Sequence, residues 1–167
     1  MLIRDAMPED ALRVAEVHVR TWQIAYRGLI PAAFLDGLSV EERANRYIFG
    51  HRDINKPQTL LALEGESVLG FGTVGKGRDA DLPDQGELMA LYVDPAWWGK
   101  RVGLALMSAA RERLCSLGYK QAYLWLLTGN QRAKWFYELD GWRMDGAQRT
   151  DDSRGIVIKE QRMRREL

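Results

Sequence analysis

Apolar side chains recur every three or four positions in four parts of the chain, which is the spacing of one face of a helix. The first part begins at Pro8, a residue suited to the first turn of a helix, and is interrupted at Gly28. Further helices are predicted from Ser39 to about Phe49, from about Lys100 to Leu117, and from Asn130 to near Gly141. Ser39 and Glu42 have the spacing of a capping box, and Gly118 is suited to end the third helix.

Other segments are rich in β-branched and apolar residues, and these predict strands. The predicted strands are Leu2–Arg4, Thr59–Glu64, Ser67–Val74, Glu87–Val93, Ala122–Leu127, Trp142–Ala147 and Ile156–Met163. The second and third form a hairpin at Gly65-Glu66, and the apolar fifth strand is expected to be buried on both faces. The polar segment Lys76–Gln85 is predicted to be mobile. No repeat or linker divides residues 1–167, so the order of elements predicts a single α/β domain with helices on the faces of a mixed sheet.

Composition and charge exclude several classes of protein. The chain is 46% hydrophobic and 28% charged, as globular domains are, and its net charge of +1 is too small for a surface built to bind nucleic acid. The single cysteine, Cys115, fits a reducing compartment and is interpreted as a packing residue. No secretory signal or membrane-length apolar run is present, so we expect a cytoplasmic protein without a membrane partner. Arg162, Arg164 and Arg165 are predicted to form a solvated tail, with a minor role in anion binding as the alternative.

The segment from Glu87 to Met107 carries the clearest chemical signal. It reads as a strand ending at Asp94-Pro95, a short loop with Gly99, and a long helix. The N-terminus of such a helix presents unpaired backbone N–H groups and a positive dipole end, which together suit a pyrophosphate. Gly103 lets the backbone approach a ligand closely. The alternative is an ordinary strand-to-helix loop whose glycines only relieve strain.

Two other phosphate motifs fail on their context. Gly70 to Gly75 spells the G-x-G-x-x-G pattern of dinucleotide-binding proteins, but it lies within a predicted strand and no helix follows it. Gly99-Lys100 lacks the other residues of a P-loop, since Asp94 and Arg101 occupy the positions of the first glycine and the Ser or Thr. A dinucleotide or nucleotide-sugar enzyme is therefore disfavoured.

Three blocks of the sequence resemble the GNAT superfamily of N-acetyltransferases. The block LYVDPAWWGKRVGLALM resembles the acetyl-CoA signature Q/R-x-x-G-x-G/A that follows a strand ending in Val-Asp-Pro. LWLLTGNQRAKWFYELDGWRMDG is similar to the later strand–Asn–helix–Tyr segment, and VHVRTWQIAYRGLIP to the first helices of a bacterial subset. Trp98 and Arg101 replace the usual signature Gln/Arg and first glycine, whereas Gly103 is kept. The resemblance implies a mainly antiparallel sheet flanked by helices, with acetyl-CoA as co-substrate.

The resemblance also implies a set of cofactor contacts. Backbone groups of Leu91, Tyr92 and Val93 would pair with the pantetheine arm as an added strand does. Asn130 would cap its helix and also bond the pantetheine. The remaining predicted cofactor residues lie around the pyrophosphate and are Trp98, Gly99, Lys100, Arg101, Val102, Gly103 and Leu104. No metal is expected, because His18 and His51 lack partners at ligand spacing.

Catalysis requires an uncharged amine, a polarised carbonyl and a proton for the leaving thiolate. An N–H near Leu91 is suited to polarise the carbonyl. Tyr137 matches the family tyrosine that protonates the thiolate, although it would also fit the buried face of a short helix. Glu87 is the candidate base, and the alternative is a solvated carboxylate at a strand end. Trp125 occupies a second family position for a base and cannot serve as one.

Trp22 and Tyr26 lie one helical turn apart and are the candidate acceptor-binding residues. Their rings would hold a cationic amine, and core packing is the alternative. We expect an N-acetyltransferase that moves an acetyl group directly from acetyl-CoA to a primary amine, on a small molecule or a peptide. The alternative is a non-catalytic acyl-CoA sensor. The sequence does not name the acceptor and leaves a homodimer open.

Overall fold

The computed structural model describes residues 1–167 and contains one open sheet of seven strands. The strands are β1 (Leu2–Asp5), β2 (Gln58–Glu64), β3 (Ser67–Lys76), β4 (Gly86–Val93), β5 (Gln121–Leu127), β6 (Arg143–Asp151) and β7 (Ile158–Glu166). Their order across the sheet is β1-β2-β3-β4-β5-β7-β6, and every neighbouring pair except β4–β5 is antiparallel. The predicted fold class is therefore confirmed.

Five helices flank the sheet. They are α1 (Ala11–Ala25), α2 (Ala32–Asp36), α3 (Val40–Ala44), α4 (Val102–Ser116) and α5 (Gln131–Leu139), and short 3₁₀ turns lie at Pro8–Asp10 and Pro95–Trp97. Helix α1 packs Val14 and Val17 against Leu61 of β2, whereas α4 packs Leu106 against Ala62. Because consecutive strand residues point to opposite faces, α1 and α4 cover opposite faces of the sheet. None of the helices has the length and apolar character needed to cross a membrane.

Strands β4 and β5 separate along their length. They pair only at Gly86–Ala122, Glu87–Tyr123 and Leu88–Leu124, after which β4 keeps pairing with β3 alone as far as Val93. Strand β5 instead continues alongside β7 to Leu127. The second half of β4 thus has an unpaired edge in the middle of the sheet, and a wedge-shaped opening lies beside it.

Two parts of the chain differ from the prediction because they make ion pairs over long sequence distances. The segment predicted to be mobile is held by the Tyr123 hydroxyl, which accepts the backbone N–H groups of Arg78 (2.6 Å) and Asp79 (2.8 Å). Arg162 is only 6% exposed and pairs with Asp79 and Asp81, each at 2.8 Å. The predicted solvated tail is therefore wrong: this part of β7 anchors the segment.

Smaller differences concern local boundaries. Ser39 does accept the N–H of Glu42, but the helix it caps ends at Ala44 and not near Phe49. The first helix opens with the 3₁₀ turn at Pro8–Asp10 before α1 begins. Cys115 is exposed on α4, so its interpretation as a packing residue is wrong.

Candidate active site

A cavity of about 1080 Å³ runs through the opening between β4 and β5. All but one of the predicted site residues line it: Trp22, Tyr26, Glu87, Leu91, Tyr92, Val93, Trp98, Gly99, Arg101, Val102, Gly103, Leu104, Asn130 and Tyr137. The exception is Lys100, which lies outside with its ammonium 4.4 Å from the centre of the Trp97 ring. The fold therefore brings together residues that lie more than a hundred positions apart in the sequence.

The unpaired edge of β4 offers backbone groups at alternate residues. The N–H of Asp94 donates to the carbonyl of Leu69 on β3 at 2.9 Å, so the backbone of Tyr92 also faces β3. The backbone of Leu91 and Val93 consequently faces the opening. The Val93 carbonyl already accepts Trp98 Nε1 (2.8 Å) and Thr21 Oγ1 (3.2 Å). Tyr92 can therefore reach a ligand in the opening only through its side chain, which corrects its predicted backbone contact.

The first turn of α4 presents a group of free N–H donors to the same cavity. The first N–H of this turn with a backbone acceptor is that of Ala105, which donates to Arg101 at 3.1 Å. The N–H groups without a backbone acceptor are those of Gly99, Arg101, Val102, Gly103 and Leu104. Five free donors at a helix N-terminus are suited to bind an anion.

Backbone conformation explains why this turn favours glycine. Gly99 has φ +76°, and Arg101 has φ +63°, a left-handed value found at no other non-glycine residue of the chain. Arg101 occupies the place of the first signature glycine and adopts the conformation that glycine adopts without strain. Gly103 has a different role, because a Cβ there would meet the Phe136 ring at 3.4 Å. An alanine there would make ordinary contact with α5, whereas a larger side chain would press on the ring and on an approaching ligand.

Charged and aromatic side chains brace the turn. Asp94 is buried, pairs with Arg20 at 2.6 Å and caps the 3₁₀ turn by accepting the N–H of Ala96. The guanidinium of Arg132 lies 3.5 Å from the centre of the Trp98 ring. The free N–H donors are thus held in place by contacts from α1 and α5.

Tyr137 and Asn130 approach the opening from α5. Asn130 accepts the N–H of Ala133 at 3.2 Å, which confirms its predicted capping role. The half-buried Tyr137 packs its ring against Phe136 and Trp142. Burial, with the neighbouring Tyr92 hydroxyl, raises the pKa of Tyr137 above its ordinary value. Its hydroxyl therefore keeps its proton at neutral pH.

Glu87 lies in the cavity wall but is not solvated. Its side chain is buried, and both oxygens accept from Arg78, at 2.6 and 2.9 Å. The Tyr123 hydroxyl donates to Oε2 at 3.2 Å. The predicted alternative of a solvated strand-end carboxylate is wrong, and Oε1, which accepts a single hydrogen bond, keeps a free acceptor position.

The opposite end of the cavity is aromatic. Trp22 and Tyr26 make an edge-to-face contact with centroids 5.0 Å apart, and both also pack against the core residues Ile30 and Leu35. Burial raises the pKa of Tyr26 well above its ordinary value. Both residues therefore pack in the core and also line the cavity.

The sequence between residues 18 and 142 matches the acetyltransferase (GNAT) family, which is most of the chain. The chain belongs to the GNAT family. A curated relative, the uncharacterized N-acetyltransferase YuaI of Bacillus subtilis, is 28% identical over 133 residues, which cover 77% of this chain and 72% of YuaI. The resemblance seen in the sequence is confirmed.

Solved structures share the GNAT fold of this chain. PaiA N-acetyltransferase from Thermoplasma acidophilum, in complex with coenzyme A, has a TM-score of 0.76 and 19% identity, covering 99% of this chain and 98% of that one. The structure of yncA from Salmonella typhimurium with its cofactor acetyl-CoA has a TM-score of 0.72 and 19% identity, covering 100% and 94%. At this identity they establish the fold.

Five arginines of this GNAT cavity escaped the sequence reasoning. They are Arg43, Arg78, Arg132, Arg149 and Arg154, and all of them line it. Arg78 pairs with a carboxylate nine residues away, and Arg132 stacks on a tryptophan 34 positions earlier in the chain. No motif marks any of them. The only local signal was the position of Arg132 two residues after the capping Asn130.

Proposed function

We propose that the protein is an N-acetyltransferase that transfers an acetyl group directly from acetyl-CoA to a primary amine in a ternary complex. The observation that carries this proposal is the opening between β4 and β5, which leads from a free strand edge to five free N–H donors. A peptide-like arm followed by a pyrophosphate has the chemistry that this combination would bind. The family membership supports the same activity.

The arrangement of polar groups supports a specific orientation of the cofactor. The free backbone groups of Leu91 and Val93 would take the pantetheine as a strand, and Asn130 would bond it from the other side. The free N–H groups of Gly99, Arg101, Val102, Gly103 and Leu104 would hold the pyrophosphate. Arg101 and Arg132 add positive charge at this end of the cavity. Lys100 has no part in this proposal, because its N–H donates to the Trp97 carbonyl and its ammonium packs on the Trp97 ring.

The chemistry follows from the groups at the narrow end of the opening. The N–H of Leu91 would stabilise the negative charge that develops on the thioester oxygen. As the amine nitrogen forms its bond to the acetyl carbon and the C–S bond breaks, Tyr137 would donate its proton to the thiolate. Glu87 would receive the amine proton through water at Oε1, which accepts a single hydrogen bond from Arg78. Trp22 and Tyr26 would border the acceptor.

A panel of amines tests the proposal against the non-catalytic alternative. We expect the protein to bind acetyl-CoA in calorimetry and to release free thiol only when an accepted amine is present, with the acetylated amine visible by mass spectrometry. Binding of acetyl-CoA without acetylation of any amine in a broad panel would favour a sensor. Absence of binding would refute the assigned cofactor site.

A further inference from the structure

Arg43 is a half-buried charged side chain of the acceptor end that has no oppositely charged partner. It lies on α3, is half-buried and lines the cavity, yet it makes no ion pair or side-chain hydrogen bond. The buried or half-buried carboxylates of the cavity are all taken: Glu87 by Arg78, Asp151 by Arg154, and Glu160 by Arg149. Asp152 also lines the cavity without an ion pair, but it is exposed, so Arg43 is the unpaired charge that is partly shielded from solvent.

The surroundings of Arg43 favour the arrival of an anion. Burial lowers its pKa, and the nearby charges of Arg46 and Arg154 act in the same direction. A half-buried guanidinium next to two others is poorly compensated in the free protein, because both desolvation and repulsion oppose it. A ligand carboxylate would offset both the desolvation and the repulsion, and it could form a bidentate pair with the guanidinium.

Two buried polar atoms of the same cavity also lack partners. Trp22 is 6% exposed and His18 is 7% exposed, both line the cavity, and neither Trp22 Nε1 nor His18 Nε2 has a hydrogen-bond partner. The indole N–H can only donate, so an acceptor atom of a ligand in the cavity would satisfy it. His18 Nδ1 is bonded to the Tyr47 hydroxyl at 2.8 Å. Burial lowers the pKa of His18 to about 2, so the imidazole is neutral.

These groups form one cluster on the α1 face of the sheet. The rings of His18 and Trp22 stack with centroids 5.4 Å apart, and His18 lies 4.9 Å from the Tyr92 ring. The Arg154 guanidinium lies 5.6 Å from the centre of the Trp22 ring. The charges of Arg43 and Arg154 both act on His18. Arg154 thus already makes with Trp22 the cation–π contact that the predicted pocket would offer to a cationic amine.

We propose that the acceptor is a small amine that also carries a carboxylate, bound by Arg43 and by the indole N–H of Trp22. This inference rests on the proposed function and names the substrate class of its acceptor site. The carboxylate lies on the α1 face, and the amine of the same molecule reaches the opening beside Leu91. Polyamines and other wholly cationic amines are then poor substrates.

Matched pairs of amines test this assignment. Amino acids and their carboxamides differ only in the acid group, so we compare both series in acetyl-CoA-dependent thiol release. The acids should have kcat/KM about 10- to 100-fold above the amides, the range expected for hydrogen bonds to a charged group. Arg43→Gln should remove most of that preference and leave acetyl-CoA affinity unchanged. Arg46→Gln is the control, because Arg46 is exposed and does not line the cavity.

A binding measurement keeps the test independent of turnover. Calorimetry with coenzyme A present should show tighter binding of N-acetyl amino acids than of N-acetyl amino acid amides, and Arg43→Gln should abolish the difference. Equal binding and equal turnover of acids and amides would overturn the inference while leaving the proposed function intact. Equal damage by Arg43→Gln to both series, or a loss of acetyl-CoA affinity, would also overturn it. Failure to acetylate any amine would instead count against the proposed function.

Discussion

Replacing Tyr137 with phenylalanine should lower the rate of acetyl transfer by roughly 10²–10⁴-fold, the range for loss of one general acid. The ring contacts with Phe136 and Trp142 do not involve the hydroxyl, so packing should survive. Because the pKa of Tyr137 is raised, its hydroxyl keeps its proton into the alkaline range, and deprotonation of Tyr137 should cause no loss of rate near neutral pH. Turnover and acetyl-CoA affinity are measured on the same sample.

A second variant separates the two proton transfers. Glu87→Gln should reduce turnover mainly at lower pH, where more of the amine is protonated and depends on a base. A uniform loss of turnover at all pH values would mean that Glu87 acts only through its ion pair with Arg78 and not as a base. Full turnover by Tyr137→Phe with acetyl-CoA affinity unchanged would remove Tyr137 from the mechanism.

Replacing Arg162 with methionine should destabilise the fold by about 3–5 kcal/mol, the usual cost of breaking a buried ion pair. The guanidinium is buried, and the substitution would leave Asp79 and Asp145 mostly buried without a counter-charge. Denaturant unfolding at neutral pH measures the loss. Arg164→Met is the matched control on the same strand, since Arg164 makes only long hydrogen bonds to Gln85 and Gln121.

The loss should depend on pH in a defined direction. Hydrogen bonding to Arg162 lowers the pKa of Asp81 below its ordinary value. A lowered carboxyl pKa contributes stability above the unfolded value, about 3.9, and loses it as the pH falls through the folded value. The difference between parent and Arg162→Met should therefore shrink in acid. An unchanged stability at neutral pH would mean that the three-carboxylate network contributes nothing.

Local patterns were enough to predict the elements that build the cofactor site. The β4 strand, the α4 helix and its stop at Gly118 follow from apolar spacing and one glycine with φ +92°. The cap at Asn130 is also a local interaction, spanning three residues. Such features depend on neighbours in the sequence, so the sequence contains them directly.

Features that depend on distant partners were not predictable in the same way. Arg162 pairs with Asp79, which lies 83 positions earlier in the chain. Because of this contact the predicted solvated tail instead fixes the segment that contains Asp79. The burial of Glu87 depends on Arg78 and on Tyr123 of the neighbouring strand. Arg43 became informative only because the fold placed it in a cavity whose half-buried and buried carboxylates pair with other arginines. Charge alone does not reveal whether a side chain will find a partner.

Calorimetry of acetyl-CoA binding to a Leu104→Pro variant tests the proposed cofactor site most directly. Leu104 is 53% exposed and its N–H has no backbone acceptor, so proline in this first turn removes one donor and breaks no helix bond. The preceding Gly103 has no side chain to meet the proline ring. Leu104→Ala controls for the lost side chain.

We predict that Leu104→Pro binds acetyl-CoA roughly 10- to 100-fold more weakly than Leu104→Ala at equal thermal stability, as for a lost hydrogen bond to a charged group. Equal affinity of the two folded variants would contradict the placement of the pyrophosphate on the first turn of α4.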